Sequence, residues 1–257
     1  MRFLLAALLI SVGISSAQAA EVIGSAAAGC VVDAQQLSLD GTGYQVLRPS
    51  RNRSWGHPVT VGFVQSLAAA AQAEGGGGLL IADMARPKGG PMPSGHASHQ
   101  NGLDVDIWFR LVQHPLTMAE LESPKPIQMV QGNGVSDSWT SAQARLIELA
   151  ARAPGVDRIF VNPAIKQTLC VAATGSDRGW LGKLRPWWGH DEHFHVRMSC
   201  PAESLDCEAQ KPFPEGDGCG GELESWLTKP TSPAPPDRPH VQTRQLPEAC
   251  VALLKVK

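Results

Sequence analysis

Apolar and polar positions recur with two different periods along this chain, and the change of period marks its elements. From Pro58 to Ala73, "PVTVGFVQSLAAAAQA" has proline where a first helical turn tolerates it, then an alanine-rich run that Gly75–Gly78 bring to a stop. "LLIADM" (Leu79–Met84) opens with an unbroken apolar run, Leu79–Ala82, and reads as a buried strand. Leu103–Phe109 alternates and is rich in β-formers. As a strand it puts Asp104, Asp106 and Trp108 on one face and Val105, Ile107 and Phe109 on the other. Ser141 can cap a helix over "AQARLIELAARA", which Pro154-Gly155 ends, and Arg158–Val161 follows as a short strand. Pro163 opens a helix toward Cys170, and "HFHVRM" (His193–Met198) alternates as a further strand. Beyond Cys219 the periodicity is lost, and Lys229–Pro239, "KPTSPAPPDRP", is expected to run as an extended polyproline-like strap.

Helices and short strands without a regular βαβ alternation predict an α+β fold: a small antiparallel central sheet flanked by helices, with a disulfide-stapled C-terminal extension. The opening "MRFLLAALLISVGISSAQAA" has the charged, apolar and A-x-A order of a secretory signal peptide, with cleavage after Ala19. Its apolar run is too short to span a bilayer. The expected organisation is a signal peptide over 1–19, one catalytic domain over 20–227 and a Pro-rich strap over 228–257. A formal net charge of −2 argues against a dedicated nucleic-acid binder. Cys30, Cys170, Cys200, Cys207, Cys219 and Cys250 form an even set in an exported chain, which reads as disulfides in an oxidising compartment. Their spacing leaves the connectivity open, though a bridge from Cys30 to Cys250 would tie both ends of the mature chain to one body.

Two segments crowd five of the eight histidines beside carboxylates. In "SGHASHQNGLDVDIWF" (Ser94–Phe109), a turn at Asn101-Gly102 would let His99 fold back beside Asp106, and both are zinc-ligand types. In "WWGHDEHFHVRM" (Trp187–Met198), His193 and His195 share one strand face. If the two strands are neighbours, His99, Asp106 and His195 bind a metal and leave an open position for water, the catalytic arrangement. His193 then stands within reach of that water as general base. Glu192 is the alternative base, but on an ideal strand it points away from His193 and His195. Asp104, on the metal-facing side, is either a partner of the ligands or a structural carboxylate. His96 and His190 each precede a site histidine by three residues and are expected to bind substrate, stabilise the transition state or orient the ligands. His57, His114 and His240 read as ordinary residues. Trp187 and Trp188 are expected to wall a cleft or pack in the core, with stacking on glycan as the sharper alternative.

The His-x6-Asp and His-x-His pattern resembles the zinc signature of lysostaphin-type endopeptidases, D-Ala-D-Ala carboxypeptidases and penicillin-insensitive murein endopeptidases, and is most similar to the last. The similarity extends through "YQVLR" (Tyr44–Arg48), "RIFVNPAIKQ" (Arg158–Gln167), "RPW" (Arg185–Trp187) and "GDGCGGEL" (Gly216–Leu223). The carboxypeptidases carry Ser-x-His-x-x-Gly-x-Ala-x-Asp, from which this chain departs at Ala97 and Asp104. The resemblance implies a periplasmic zinc peptidase that cuts the D-alanyl–meso-diaminopimelyl cross-links of peptidoglycan. It implies one catalytic Zn2+ on His99, Asp106 and His195, His193 as base, and His96 and His190 at the active site. It also implies the pairs Cys30–Cys250, Cys170–Cys219 and Cys200–Cys207. A second metal and a homodimer stay open, as do a D,D- or L,D-carboxypeptidase and a non-catalytic cell-wall or zinc-binding module. No Ser-x-x-Lys occurs in the mature chain, which accords with a water nucleophile.

Overall fold

The computed structural model describes residues 20–228 and 244–256. The expected signal peptide (1–19) and the proline-rich stretch (229–243) lie outside the described residues. The strands are β1 (Glu21–Ser25), β2 (Ala28–Val32), β3 (Gln35–Gln36), β4 (Asp40–Gly41), β5 (Tyr44–Val46), β6 (Trp55–Gly56), β7 (Gly78–Ile81), β8 (Asp104–Val112), β9 (Val130–Gln131), β10 (Gly134–Val135), β11 (Val156–Val161), β12 (Leu184–Pro186) and β13 (His193–Met198). The α-helices are α1 (Pro58–Ala73), α2 (Met118–Glu122), α3 (Ser141–Arg152), α4 (Pro163–Ala172), α5 (Gly221–Leu227) and α6 (Glu248–Lys255).

Seven strands form one mixed sheet in the order β12-β11-β13-β8-β7-β5-β4, so the fold is α+β but the central sheet is neither small nor wholly antiparallel. Its middle, β11-β13-β8-β7, is antiparallel, whereas β5 pairs with β7 and β11 with β12 in parallel. A helical crossover explains each parallel pair: α1 lies between β5 and β7, and α4 between β11 and β12. The flanking strands β5 and β12 are three residues long, too short for alternation to announce them.

One face of the sheet is the core. Val105, Ile107 and Phe109 of β8 and Phe194 and Val196 of β13 are all fully buried there. Helix α1 contributes Val61, Val64, Leu67, Ala68 and Ala71, a stripe at helical spacing, and α3 adds Leu146, Ile147, Ala150 and Ala151. Thr140 caps α3, one residue before the expected Ser141, and closes a capping box with Gln143. The other face of β8 carries Asp104, Asp106 and Trp108. Trp108 packs there with Leu47, Leu80, Ala82 and Leu121 in a small second cluster.

Three disulfides pin the periphery. Cys30–Cys250 ties α6 to β2, Cys170–Cys219 ties α4 to the segment before α5, and Cys200–Cys207 closes the loop after β13.

Candidate metal centre

Strand pairing alone assembles most of the site. In the β13–β8 ladder His195 lies opposite Asp106, Arg197 opposite Asp104 and His193 opposite Trp108. Side chains alternate along a strand, so all six share one face, away from the core. The Asn101-Gly102 turn launches β8. Gly102 sits at φ +77°, and its carbonyl accepts from the His57 amide (2.9 Å) and Thr60 Oγ1 (2.8 Å), which anchors the turn to the start of α1.

His99 is held in the left-handed region at φ 65°, a strained position for a residue with a Cβ. Its amide donates to Asp104 Oδ2 at 2.9 Å, and its Nδ1 donates to the Met84 carbonyl at 3.1 Å. A carbonyl can only accept, so Nδ1 carries a proton, and Nε2 faces Asp106 Oδ1 at 3.4 Å. His195 turns Nδ1 to the same oxygen at 3.3 Å and Nε2 toward Asp104 Oδ1 at 3.1 Å, off the line of a hydrogen bond. His96 donates Nε2 to Asp83 Oδ2 at 3.0 Å and presents Nδ1 to Asp106 Oδ2 at 3.6 Å. His193 Nε2 lies 3.8 Å from that oxygen.

Whether these residues fit a metal ion turns on the buried groups that lack a partner. His99 Nε2 and Asp106 Oδ1 are both buried, face each other and make no hydrogen bond. Leaving such atoms unpaired costs about 1–3 kcal/mol each, which a shared cation removes. Charge points the same way. Asp83 and Asp104 are each buried against an arginine, Arg53 at 2.7 Å and Arg197 at 2.6 Å. Asp106, equally buried, has only histidines around it among the described residues. Two donor sets are close enough to hold an ion: His96, His99 and Asp106, and His99, Asp104 and His195. His99 belongs to both, whereas Asp104 is already engaged by Arg197. Imidazole and carboxylate donors suit zinc.

The titrations reflect this crowding. Burial opposes the charge on Asp106, but the surrounding histidines hold its carboxyl well below the usual range. Burial pushes the His195 imidazole down to about 4, against the pull of Asp104. His190 falls to about 3, through burial and then the nearby His193 and His195. His190, too, is left-handed, at φ 57°, and its Nδ1 is 3.3 Å from the Trp188 carbonyl.

Glu192 does not point away. It precedes β13, where alternation does not yet apply, and its Oε1 is 3.7 Å from His193 Nδ1. The contact with His193 lowers the Glu192 carboxyl, while Asp106 and Glu192 raise His193 against the effect of burial. Arg197 is an internal ion-pair partner of Asp104.

Several residues around this cluster were not singled out from the sequence. Asp83, just past β7, bonds His96 and Arg53, and Arg53 also reaches Ser94 O and Oγ on the loop that carries His96. Asn162 caps α4 through Oδ1 and, through Nδ2, holds Asp191 at 2.6 Å and the Gly189 carbonyl on the loop of His190. Phe160, opposite His195 in the β11 ladder, stands edge-on to that imidazole at 5.2 Å. Asp83 follows an unbroken apolar run and Phe160 sits in an alternating strand. Those are the only sequence signals they offer.

Residues 22–255 match a family model described as penicillin-insensitive murein endopeptidase. A penicillin-insensitive murein endopeptidase of Salmonella heidelberg is 48% identical over 246 residues, covering 92% of this chain and 86% of its own length. Similar proteins carrying the same description occur in Klebsiella pneumoniae, 48% identical over 91% of this chain and 86% of its own, and in Yersinia enterocolitica, 47% identical over 91% and 85%.

Proposed function

Because the chain belongs to the penicillin-insensitive murein endopeptidases, a family of metallopeptidases, we propose that it is a zinc enzyme of the periplasm that hydrolyses the D-alanyl–meso-diaminopimelyl cross-links of peptidoglycan. One observation carries the reading: His99 Nε2 and His195 Nδ1 converge on Asp106 Oδ1 in a buried setting, and neither His99 Nε2 nor Asp106 Oδ1 has a hydrogen-bond partner. His99, Asp106 and His195 would hold the metal, with His96 Nδ1 beside them. Bound there, zinc supplies Lewis acidity for the scissile carbonyl and for the water that attacks it.

The protein's own groups manage the protons. His193 accepts the proton of the attacking water and returns it to the leaving amine, the general acid–base role. Glu192, at Nδ1, steadies the imidazolium formed between those two events. His190 is neutral, and with Nδ1 donating to the Trp188 carbonyl its Nε2 is free to accept from a substrate amide. Asp104 orients His195 and the His99 backbone, and Arg197 keeps that carboxylate charged. In this reading residues 1–19 are a signal peptide, 20–227 the catalytic domain and 228–257 a C-terminal extension whose Cys250 is bridged to Cys30.

Digestion of purified sacculi with the metal-analysed protein tests the reading. Dimeric muropeptides should become monomers, at a rate that tracks bound zinc. Loss of terminal D-alanine with the cross-links intact would make the enzyme a carboxypeptidase and refute the endopeptidase assignment.

A further inference from the structure

Rings continue outward from the metal centre to the surface. Phe160 meets His195 edge-on, and Trp187 meets Phe160 edge-on at 5.9 Å and 75°. Trp226 of α5 also packs on Trp187 at 5.7 Å, and Trp188 packs on Trp226 at 5.9 Å. Trp187 is 53% exposed and is the only aromatic among the exposed large apolar side chains of the described residues. It is not a loose surface ring. Its amide donates to the Val161 carbonyl at 2.9 Å, which extends the strand pairing beyond β12, and its ring packs on Phe160 and Trp226.

A large ring packed against two others and still half exposed has already given up much of its rotamer freedom, so a ligand stacking on it meets little further ordering cost. The chemistry of the substrate decides which ligand this is. Murein stem peptides are built of small and charged residues, with no large apolar side chain to match an indole. In the bond assigned above, the diaminopimelyl amine is acylated and supplies no cation for the ring. The glycan does have a matching surface, because a pyranose ring presents a flat face of C–H bonds. We propose that Trp187 is a glycan-binding subsite: the aminosugar ring next to the cleaved stem peptide stacks on this half-exposed indole and holds the polymer beside the metal centre. This rests on the murein reading above.

The test compares a cross-linked muropeptide dimer carrying its sugars with the same cross-linked peptide stripped of them. The wild type should favour the sugar-bearing dimer in kcat/KM. Trp187→Ala should cut that preference about tenfold, equivalent to about 1.4 kcal/mol, and Trp187→Phe should keep most of it. In parallel, peptide-free glycan strands, which contain no cleavable bond, should quench the intrinsic fluorescence of the wild type and not of Trp187→Ala. A preference within about twofold of the wild type in Trp187→Ala, or glycan binding that survives the substitution, overturns the subsite. If the wild type cuts neither dimer, the proposed function fails, and the glycan-binding measurement alone decides the subsite.

Discussion

Asp104 lies directly behind His195: Oδ1 is 3.1 Å from His195 Nε2, while Oδ2 takes the His99 amide at 2.9 Å. One buried carboxylate thus lies against the His195 imidazole and holds the backbone of His99, and Arg197 grips it at 2.6 Å. Removing charge from a carboxylate that orients a metal-ligating histidine typically weakens metal affinity by about 10–100-fold. Asp104→Asn should therefore release zinc to a chelator at a correspondingly lower chelator concentration than the wild type. It should also lose stability, because Arg197 stays buried with no counter-charge, a situation that costs about 3–5 kcal/mol when one partner of a buried pair is removed. Chelator titration and urea unfolding read the two effects separately. Wild-type metal affinity in a folded Asp104→Asn would refute the orienting role.

His193 and His99 should part company on substitution. His99→Ala and Asp106→Ala remove donors that nothing else replaces, so both proteins should be isolated without stoichiometric zinc and without activity. His193→Ala should keep its zinc and lose about 10²–10⁴ in kcat, the usual worth of a positioned acid–base group. Elemental analysis and muropeptide turnover on the same samples separate the two classes. If His193→Ala loses the metal instead, that histidine is a ligand and Glu192 becomes the base.

The site could be read from the sequence as far as strand alternation reaches. His193, His195 and Arg197 on one strand and Asp104, Asp106 and Trp108 on another were bound to share a face once the strands became neighbours, as they are in the β13–β8 ladder. Alternation stops at the strand end, so an ideal strand gives the wrong direction for the Glu192 side chain: it lies in the bend before β13 and its carboxylate meets His193 at 3.7 Å. Asp83 and Arg53 were invisible for a different reason. They are thirty positions apart and meet through tertiary packing that no local period encodes. The sheet was underestimated because β5 and β12 are too short to carry a pattern and owe their place to crossovers.

Asp83 is expected to act through His96. Its carboxyl is held at about 2, because His96 and Arg53 outweigh the opposing effect of burial, so it is a fixed anion at any working pH. That anion holds the proton of His96 on Nε2 and leaves Nδ1 facing Asp106. Asp83→Asn should lower kcat by about 10–100-fold with a smaller change in KM. Combining it with His96→Ala should lower kcat no further than His96→Ala alone. Multiplicative losses in the double variant would show that Asp83 contributes by another route.

The Cys30–Cys250 bridge should stabilise the histidine loop from a distance. Cys30 lies on β2, fully buried, and the β1–β2 hairpin backs that loop: Gln100 takes the Ala26 carbonyl with its amide at 3.1 Å and the Ala27 carbonyl with Nε2 at 2.9 Å. The Val31 amide donates in turn to Lys88 O at 3.1 Å. Removing the bridge frees α6 from β2 and leaves the hairpin with fewer constraints. Replacing both cysteines by alanine should cost about 2–5 kcal/mol of stability, the usual range for a native disulfide of an exported protein. The loss should also be uneven. Amide exchange should speed up over residues 86–101, which carry His96 and His99, while β13, paired on both sides inside the sheet, should keep its protection. Equal acceleration in both segments would mean that the bridge supports the molecule as a whole and has no special hold on the metal-binding loop.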